Sequence, residues 1–407
     1  MLNKVTSRLN EILGGRDLAQ ILFSSPLIVA VITALLSKPS LVGDVYHKAS
    51  TIYNLLALAC CGLILFVAFS VRKVSKMLLA VLALQGFLTI VTVINGGSVG
   101  EAVWLFVKVV SIYLFIEMGI NTSPKNLALG VAALYAAYLV INLFTVIAFP
   151  NGIYQSTETR NPCYFLGHRN LNFKVLLPGL MMLALYEVSK LEKIGPLTLA
   201  YYGGMFLNSI LVWSASSLVA CAAIPVFLFI FLKVAGLRKR GGLVSLLAAA
   251  LGTLAVPILR LQSLFSFIII NILHKDLTLT TRTGVWDGAI LTILKAPLFG
   301  YGVERDDVML TRFDGKVLSA HNYLFDTAYF GGLVALLLLA VSTCLLDKGF
   351  KNGSKWVAAV IAACVATAFV LGIAEPYGTG LSFSVILYAA AYNCQGFDEA
   401  SLEGAKA

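Results

Sequence analysis

The chain has 407 residues, of which 59% are hydrophobic and 12% charged, with a mean hydropathy of +0.89 and a formal net charge of +10. A chain this apolar is not a soluble globular protein. Apolar runs of about 20 residues, rather than short alternating segments, exclude a transmembrane β-barrel and point to helices that cross roughly 30 Å of hydrocarbon.

Twelve such runs lie near residues 19–37, 51–70, 77–95, 101–120, 126–149, 173–190, 196–212, 216–233, 242–259, 323–346, 356–374 and 379–394. The expected fold is all-α: a polytopic bundle of about 12 spans, with a large helical extracytoplasmic loop between spans 9 and 10. The first run has no small-residue cleavage pattern and is expected to span rather than to be removed. Residues 1–18 are expected to be a cytoplasmic segment, 19–394 the transmembrane domain, and 395–407 a cytoplasmic tail.

Charge sets the orientation. With the N-terminus inside, the inner segments hold seventeen basic residues, among them Arg72, Lys73, Lys76, Arg238, Lys239, Arg240, Lys348 and Lys351; the short outer loops hold only Lys38, Lys48, Arg160 and Arg169. This is the positive-inside pattern of a membrane protein with both termini inside. It accounts for most of the net charge through topology and anionic lipid, and implies no nucleic acid. Six of the seven cysteines fall in spans and Cys163 stands alone in an outer loop, so no disulfide framework is expected.

All four histidines fall on the outer side, as do two polar loops, 150–172 and 260–322. A loop of about sixty residues is expected to carry its own elements. "LQSLFSFIIINILH" (261–274) reads as a helix in the membrane surface, with Leu261, Leu264, Phe265, Ile268 and Ile272 on one face. "TRTGVWDGAILTILKAP" (281–297) reads as a second helix, with Arg282 one turn before Trp286; "FGYG" (299–302) is a glycine-rich turn.

The shorter loop ends in "FLGHRNLNFK" (165–174), which sets His168, Arg169 and Asn170 side by side and Lys174 one turn later. The two loops are expected to bring Arg169, Lys174, Arg282 and His321 around one outward-facing cavity, suited to a phosphate or pyrophosphate head group. A single arginine at this boundary equally well snorkels to phospholipid. Lys108, near mid-membrane in span 4, needs a wet cavity or a partner, and Glu101, two turns earlier, is the expected partner. Glu375 in "GIAEPYG" is a candidate cavity carboxylate. Asp306 and Asp307 read as solvated acids, and no metal site or cofactor is expected.

The order "TRTGVWDGAILTILKAPLFGYG", then "HNYLFDTAYFGGLVALLLL", resembles the O-antigen ligase and O-antigen polymerase superfamily. The upstream "CYFLGHRNLNFKVLLPGL" is similar to its polymerase-like members. The resemblance covers about residues 160–340. One departure stands at "VWSASSLVA", where Ser217 occupies a position at which members carry an arginine; its duty falls to Arg169 or Lys174, or is absent.

The resemblance implies a metal-independent, inverting glycosyltransferase working outside the membrane. Its donor is a glycan on undecaprenyl pyrophosphate and its acceptor a sugar hydroxyl. Arg282, with Arg169 or Lys174, would hold the leaving pyrophosphate; His321 would act as base, oriented by Asn322; His168, Asn170, Lys108 and Glu375 would line the substrate site. The implied function is polymerisation of lipid-linked repeat units into a capsule, exopolysaccharide or O-antigen, with membrane lipids, a chain-length regulator and a flippase as candidate partners. The alternatives are an O-antigen ligase, with lipid A core as acceptor, and a lipid-linked glycan flippase or transporter. The last is disfavoured because no repeat of two halves is evident.

Overall fold

The computed structural model describes residues 17–71, 74–156, 161–272, 274, 276–279, 282–313, 319–376 and 382–398. The expected cytoplasmic segment up to residue 16, the basic residues Arg72, Lys73 and Arg160, and the tail beyond 398 lie outside these.

The described residues form a helical bundle: α1 (Leu18–Leu22), α2 (Pro26–Leu36), α3 (Ser40–Asp44), α4 (His47–Val71), α5 (Lys76–Ile94), α6 (Val99–Thr122), α7 (Pro124–Ala148), α8 (Leu171–Leu191), α9 (Pro196–Leu211), α10 (Ala215–Lys233), α11 (Ala235–Arg238), α12 (Gly241–Thr253), α13 (Arg282–Ile293), α14 (Asp306–Arg312), α15 (Tyr323–Asn352), α16 (Lys355–Leu371) and α17 (Ser382–Tyr392). Eight of these are long and apolar enough to cross a membrane: α4, α5, α6, α7, α8, α10, α12 with its continuation to Ile258, and α15. The chain is a multi-pass membrane protein.

The first expected span is two helices. Pro26 has no N–H to continue α1, and Ser25 caps α2 by accepting from the Ile28 N–H. α2 is 11 residues long and α9 16, short of the length that crosses hydrocarbon unaided, and α16, at 17, lies at its lower limit. α16 is nonetheless the centre of the bundle. It packs on α8, α10, α12 and α17 and is buried from Val357 to Phe369. Its run of alanines lets those neighbours approach closely where water offers no driving force.

Hydrogen bonds sort the helix ends into two groups. On one side Leu41 N–H reaches Phe165 O, Ser98 N–H reaches Val303 O, Ser214 Oγ reaches Asn170 and Asn322 reaches Thr253. On the other, Asp347 accepts from the Gly242 and Leu243 N–H groups, Glu187 from Leu197 and Thr198, and Asp398 from Ser354. The first group contains the ends that the charge pattern assigns to the outside.

The loop 150–172 carries a small antiparallel sheet, β1 (Tyr154–Gln155), β2 (Pro162–Tyr164) and β3 (Gly167–His168), in the order β1-β2-β3. Buried Asn142 and Thr145 at the end of α7 accept from the Leu166 and Phe165 N–H groups and fix this sheet on the helix ends. The large loop contains a 3-10 turn (Leu261–Phe265) and a π turn (Ile268–Ile272), then α13 and α14. The segment expected as a surface helix is helical over 261–272, but of mixed 3-10, α and π geometry. Pro257 inside the preceding π turn and the left-handed backbone of Arg260 (φ 56°) separate it from α12. The apolar side chains expected on one face, Leu261, Leu264, Phe265, Ile268 and Ile272, are all exposed.

"PLFGYG" has a structural task. α15 breaks at Gly332 (φ 59°), which interrupts its hydrogen-bond ladder inside the apolar layer. The turn 297–302 replaces the missing bonds: Tyr301 and Gly302 N–H donate to Tyr329 and Phe330 O, and Leu333 and Val334 N–H donate to Pro297 and Leu298 O. A broken helix is tolerated at membrane depth only when its freed groups are satisfied in this way. A β-carbon at Gly300 would sit 2.5 Å from Tyr329 O, and one at Gly332 2.3 Å from the Leu298 carbonyl carbon.

Candidate active site

Five elements converge at one end of the bundle. α13 begins with Arg282; the turn after α16 carries Glu375; α8 carries Lys174 in its first turn; β3 carries His168; and the turn before α15 carries His321. Arg282 Nη2 lies 2.6 Å from Glu375 Oε1, with Glu375 1% exposed and Arg282 16%. Lys174, 6% exposed, donates through Nζ to the Pro376 carbonyl. Burial raises the Glu375 carboxyl, but Arg282, Lys174 and His321 more than offset this and hold it below the usual carboxylate range.

His321 is half-buried, and its Nδ1 is buried without a hydrogen-bond partner among the described residues. Burial pushes its pKa down to about 4; Glu375 opposes that, while Arg282, Lys174 and His168 add to it. The imidazole is therefore neutral at physiological pH, with a lone pair available, the state a base requires. Its backbone is held from several sides. Trp286, fully buried on α13, donates Nε1 to His321 O at 3.4 Å, and the following Tyr323 N–H donates to Gly372 O at 2.7 Å.

His168 Nδ1 accepts from the Asn170 N–H at 3.3 Å, and burial, with Lys174, lowers its pKa. Arg169 is half-exposed beside His168 and Tyr164 and, among the described residues, makes no hydrogen bond or ion pair. Asn170 Oδ1 accepts from Ser214 Oγ at 3.0 Å, and Ser214 bonds Ser217 at 2.7 Å. The position where the resemblance leads one to expect an arginine thus abuts the loop that carries Arg169.

Two expected substrate residues stand differently. Asn322 is 0% exposed and fully engaged: Oδ1 caps α15 through the Phe325 N–H, and Nδ2 donates to Thr253 Oγ1 and Ile373 O. It is a joint between three elements rather than a sugar ligand or a direct partner of the imidazole. Lys108 lies apart from the cluster, with Cys61 and Lys38 as its electrostatic neighbours. It does not pair with Glu101, whose neighbours are Asp306 and Ser98. Seven residues of helix separate the two by roughly 10 Å along the axis, too far for side chains that point to different neighbours.

One buried acid was absent from the sequence reading. Asp326, 3% exposed, lies one turn into α15 and accepts from the Ala320 N–H at 2.7 Å, with Lys174 among its charged neighbours. The signal was present in "HNYLFD": an acid four residues after a cap asparagine faces the same side as the cap. Asp306 and Asp307 sit in the first turn of α14, where an acid favours the helix dipole; Asp307 also pairs with Arg305 at the surface.

The broken α15, the turn that repairs it and the His–Asn entry to that helix all fall in one segment. Residues 203–340 match the family model described as O-antigen ligase. Over that segment, about a third of its length, the chain is similar to the O-antigen ligase family. No curated protein and no solved structure matches the chain. The superfamily match supports a role in glycan assembly at the membrane, with lipid-linked glycans as the class of substrate.

Proposed function

We propose that the protein is an inverting glycosyltransferase that polymerises undecaprenyl-pyrophosphate-linked repeat units on the outer face of a bacterial cytoplasmic membrane. The observation that carries this reading is the neutral His321 ring, whose Nδ1 has no hydrogen-bond partner among the described residues, beside the Arg282–Glu375 pair and Lys174. The acceptor hydroxyl oxygen attacks C1 of the donor sugar from the face opposite the leaving group. The C1–O bond to pyrophosphate breaks, the lipid pyrophosphate leaves with the electron pair, and His321 takes the hydroxyl proton. Direct displacement inverts the anomeric centre and needs no carboxylate nucleophile.

Developing charge on the pyrophosphate falls to Arg282 and Lys174, with Arg169 at the rim taking the duty of the arginine absent at Ser217. Glu375 engages one nitrogen of the Arg282 fork, which leaves further donors for phosphate oxygens. No step calls for a metal, and EDTA is expected to leave turnover unchanged.

The family description favours a second reading, an O-antigen ligase with lipid A core as acceptor. The polymerase is preferred because the upstream loop resembles polymerase-like members and supplies β3 and Arg169 to the site. Purified protein given a defined undecaprenyl-pyrophosphate repeat unit as sole substrate should produce a ladder of lipid-linked oligomers. Transfer only after lipid A core is added would establish the ligase instead, and movement of glycan across a vesicle wall without transfer would overturn both.

A further inference from the structure

His321 has a left-handed backbone, φ 47°, which its β-carbon disfavours and which persists only where the surroundings impose it. Asp326 supplies the shortest side-chain tie on that turn. Its Oδ1 accepts from the N–H of Ala320, the residue before His321, at 2.7 Å, and both residues are buried. The geometry follows from the helix. Asn322 caps α15, so Asp326 lies one turn later on the same side and can reach back over the cap to residue 320. The other carboxylate oxygen is buried and, among the described residues, has no hydrogen-bond partner. An acid buried this way is costly, and the Ala320 N–H, with Lys174 as a lesser contribution, offsets only part of that cost.

We propose that Asp326 is a positioning residue: through the Ala320 N–H it sets the backbone turn that presents the His321 ring to the site. It does not touch the reacting atoms. Fixing Ala320 leaves His321 little backbone freedom between that bond and the helix cap. The Trp286 bond to His321 O adds a second hold on the same backbone. The kinetic part of this inference rests on the glycosyltransferase reading; the conformational part does not.

The test compares Asp326→Asn, which keeps an acceptor oxygen for the Ala320 N–H, with Asp326→Ala, which removes it. The first readout is the rate at which diethyl pyrocarbonate modifies the His321 ring in purified protein, followed by peptide mass spectrometry, with His47 as internal reference. Asp326→Ala is expected to change His321 labelling by about fivefold or more, while Asp326→Asn stays close to wild type. Should the alanine variant fail to accumulate, Asp326→Glu serves: it keeps the charge but displaces the oxygens by one methylene, and His321 labelling is expected to change.

The second readout is kinetic. Asp326→Ala should lose roughly 10- to 100-fold in kcat with little change in donor KM, and Asp326→Asn should recover most of it, since 1 Å of misplacement is enough to cost that much. A purely structural role would lower the melting temperature and the active fraction while leaving kcat per folded molecule unmoved. Unchanged His321 labelling in folded Asp326→Ala overturns the proposal. Labelling as expected, with no glycosyl transfer by the wild type, leaves the positioning role standing and sinks the enzymatic reading instead.

Discussion

The Arg282 guanidinium is held 2.6 Å from the carboxylate of Glu375, a contact that joins the start of α13 to the turn after α16 across 93 residues of chain. Since Glu375 is almost wholly enclosed, neither partner can be removed without leaving charge behind in a poorly solvated place.

Breaking that pair should therefore be costly. Glu375→Ala is expected to lower stability by about 3 kcal/mol or more. The double variant Arg282→Ala/Glu375→Ala should lose less than the sum of the single losses, because the stranded charge is gone. Thermal unfolding of the four proteins in detergent measures this cycle. Strict additivity would mean that the pair is not coupled. For turnover, Arg282→Lys should not restore the wild-type rate, because one ammonium cannot hold both Glu375 and a phosphate as a fork does.

The His321→Ala protein should insert normally and lose roughly 10²- to 10⁴-fold in rate, with donor affinity little changed. The pH dependence separates a buried from an ordinary imidazole. Burial holds the folded pKa at about 4, below the ordinary imidazole value of 6.5, so the ring stays neutral well below pH 6.5. The acid limb of the free-enzyme profile, kcat/KM, should fall near pH 4 rather than near 6.5. The same shift means that the unfolded chain binds more protons between those values. Folding stability should therefore decline as pH falls from 6.5 toward 4. A kcat/KM profile that turns down at 6.5 would show the ring to be solvated.

Gly332 and Gly300 are expected to matter for folding rather than chemistry. Alanine at either meets backbone within 2.5 Å and requires a left-handed conformation. Each should cost about 2 kcal/mol or more, through strain and through loss of the bonds that repair α15. Membrane abundance and melting temperature should drop, while kcat per folded molecule stays near wild type. A folded variant of full stability would show that the turn can detach.

The proposed outward orientation rests on seventeen basic residues in the inner segments against four in the short outer loops. Asp307, whose side chain is 69% exposed at the start of α14, reports it. Asp307→Cys in a cysteine-free background should react with an impermeant maleimide in intact spheroplasts. Labelling only after permeabilisation would reverse the topology and move the site to the cytoplasm.

By itself the sequence determined the class of the molecule and the cast of its site. Hydrophobic run length marked the helices, because the thickness of hydrocarbon fixes how many apolar residues a helix must present. The phrases around residues 165–174, 282–302 and 321–332 marked the polar end, because ionisable groups at a membrane boundary are rarely placed there without a task.

Only the tertiary structure decided which of those residues meet. Glu375 and Lys174 are distant in sequence from Arg282, and nothing in a local pattern reports that α8, α13 and the turn after α16 end together. Asn322 and Lys108 show the converse. Both are polar at suggestive positions, yet one is consumed as a cap and a joint, and the other faces Lys38 and Cys61 rather than the site. Asp326 was legible only in part. Its spacing from the cap places it on the right side of α15, but its bond to Ala320 exists because the turn 319–322 doubles back over the helix end. The glycines of "FGYG" read locally as a turn. That they complete the hydrogen bonds of a helix broken at Gly332 is a long-range fact, since a backbone donor carries no sequence mark of the acceptor it will find.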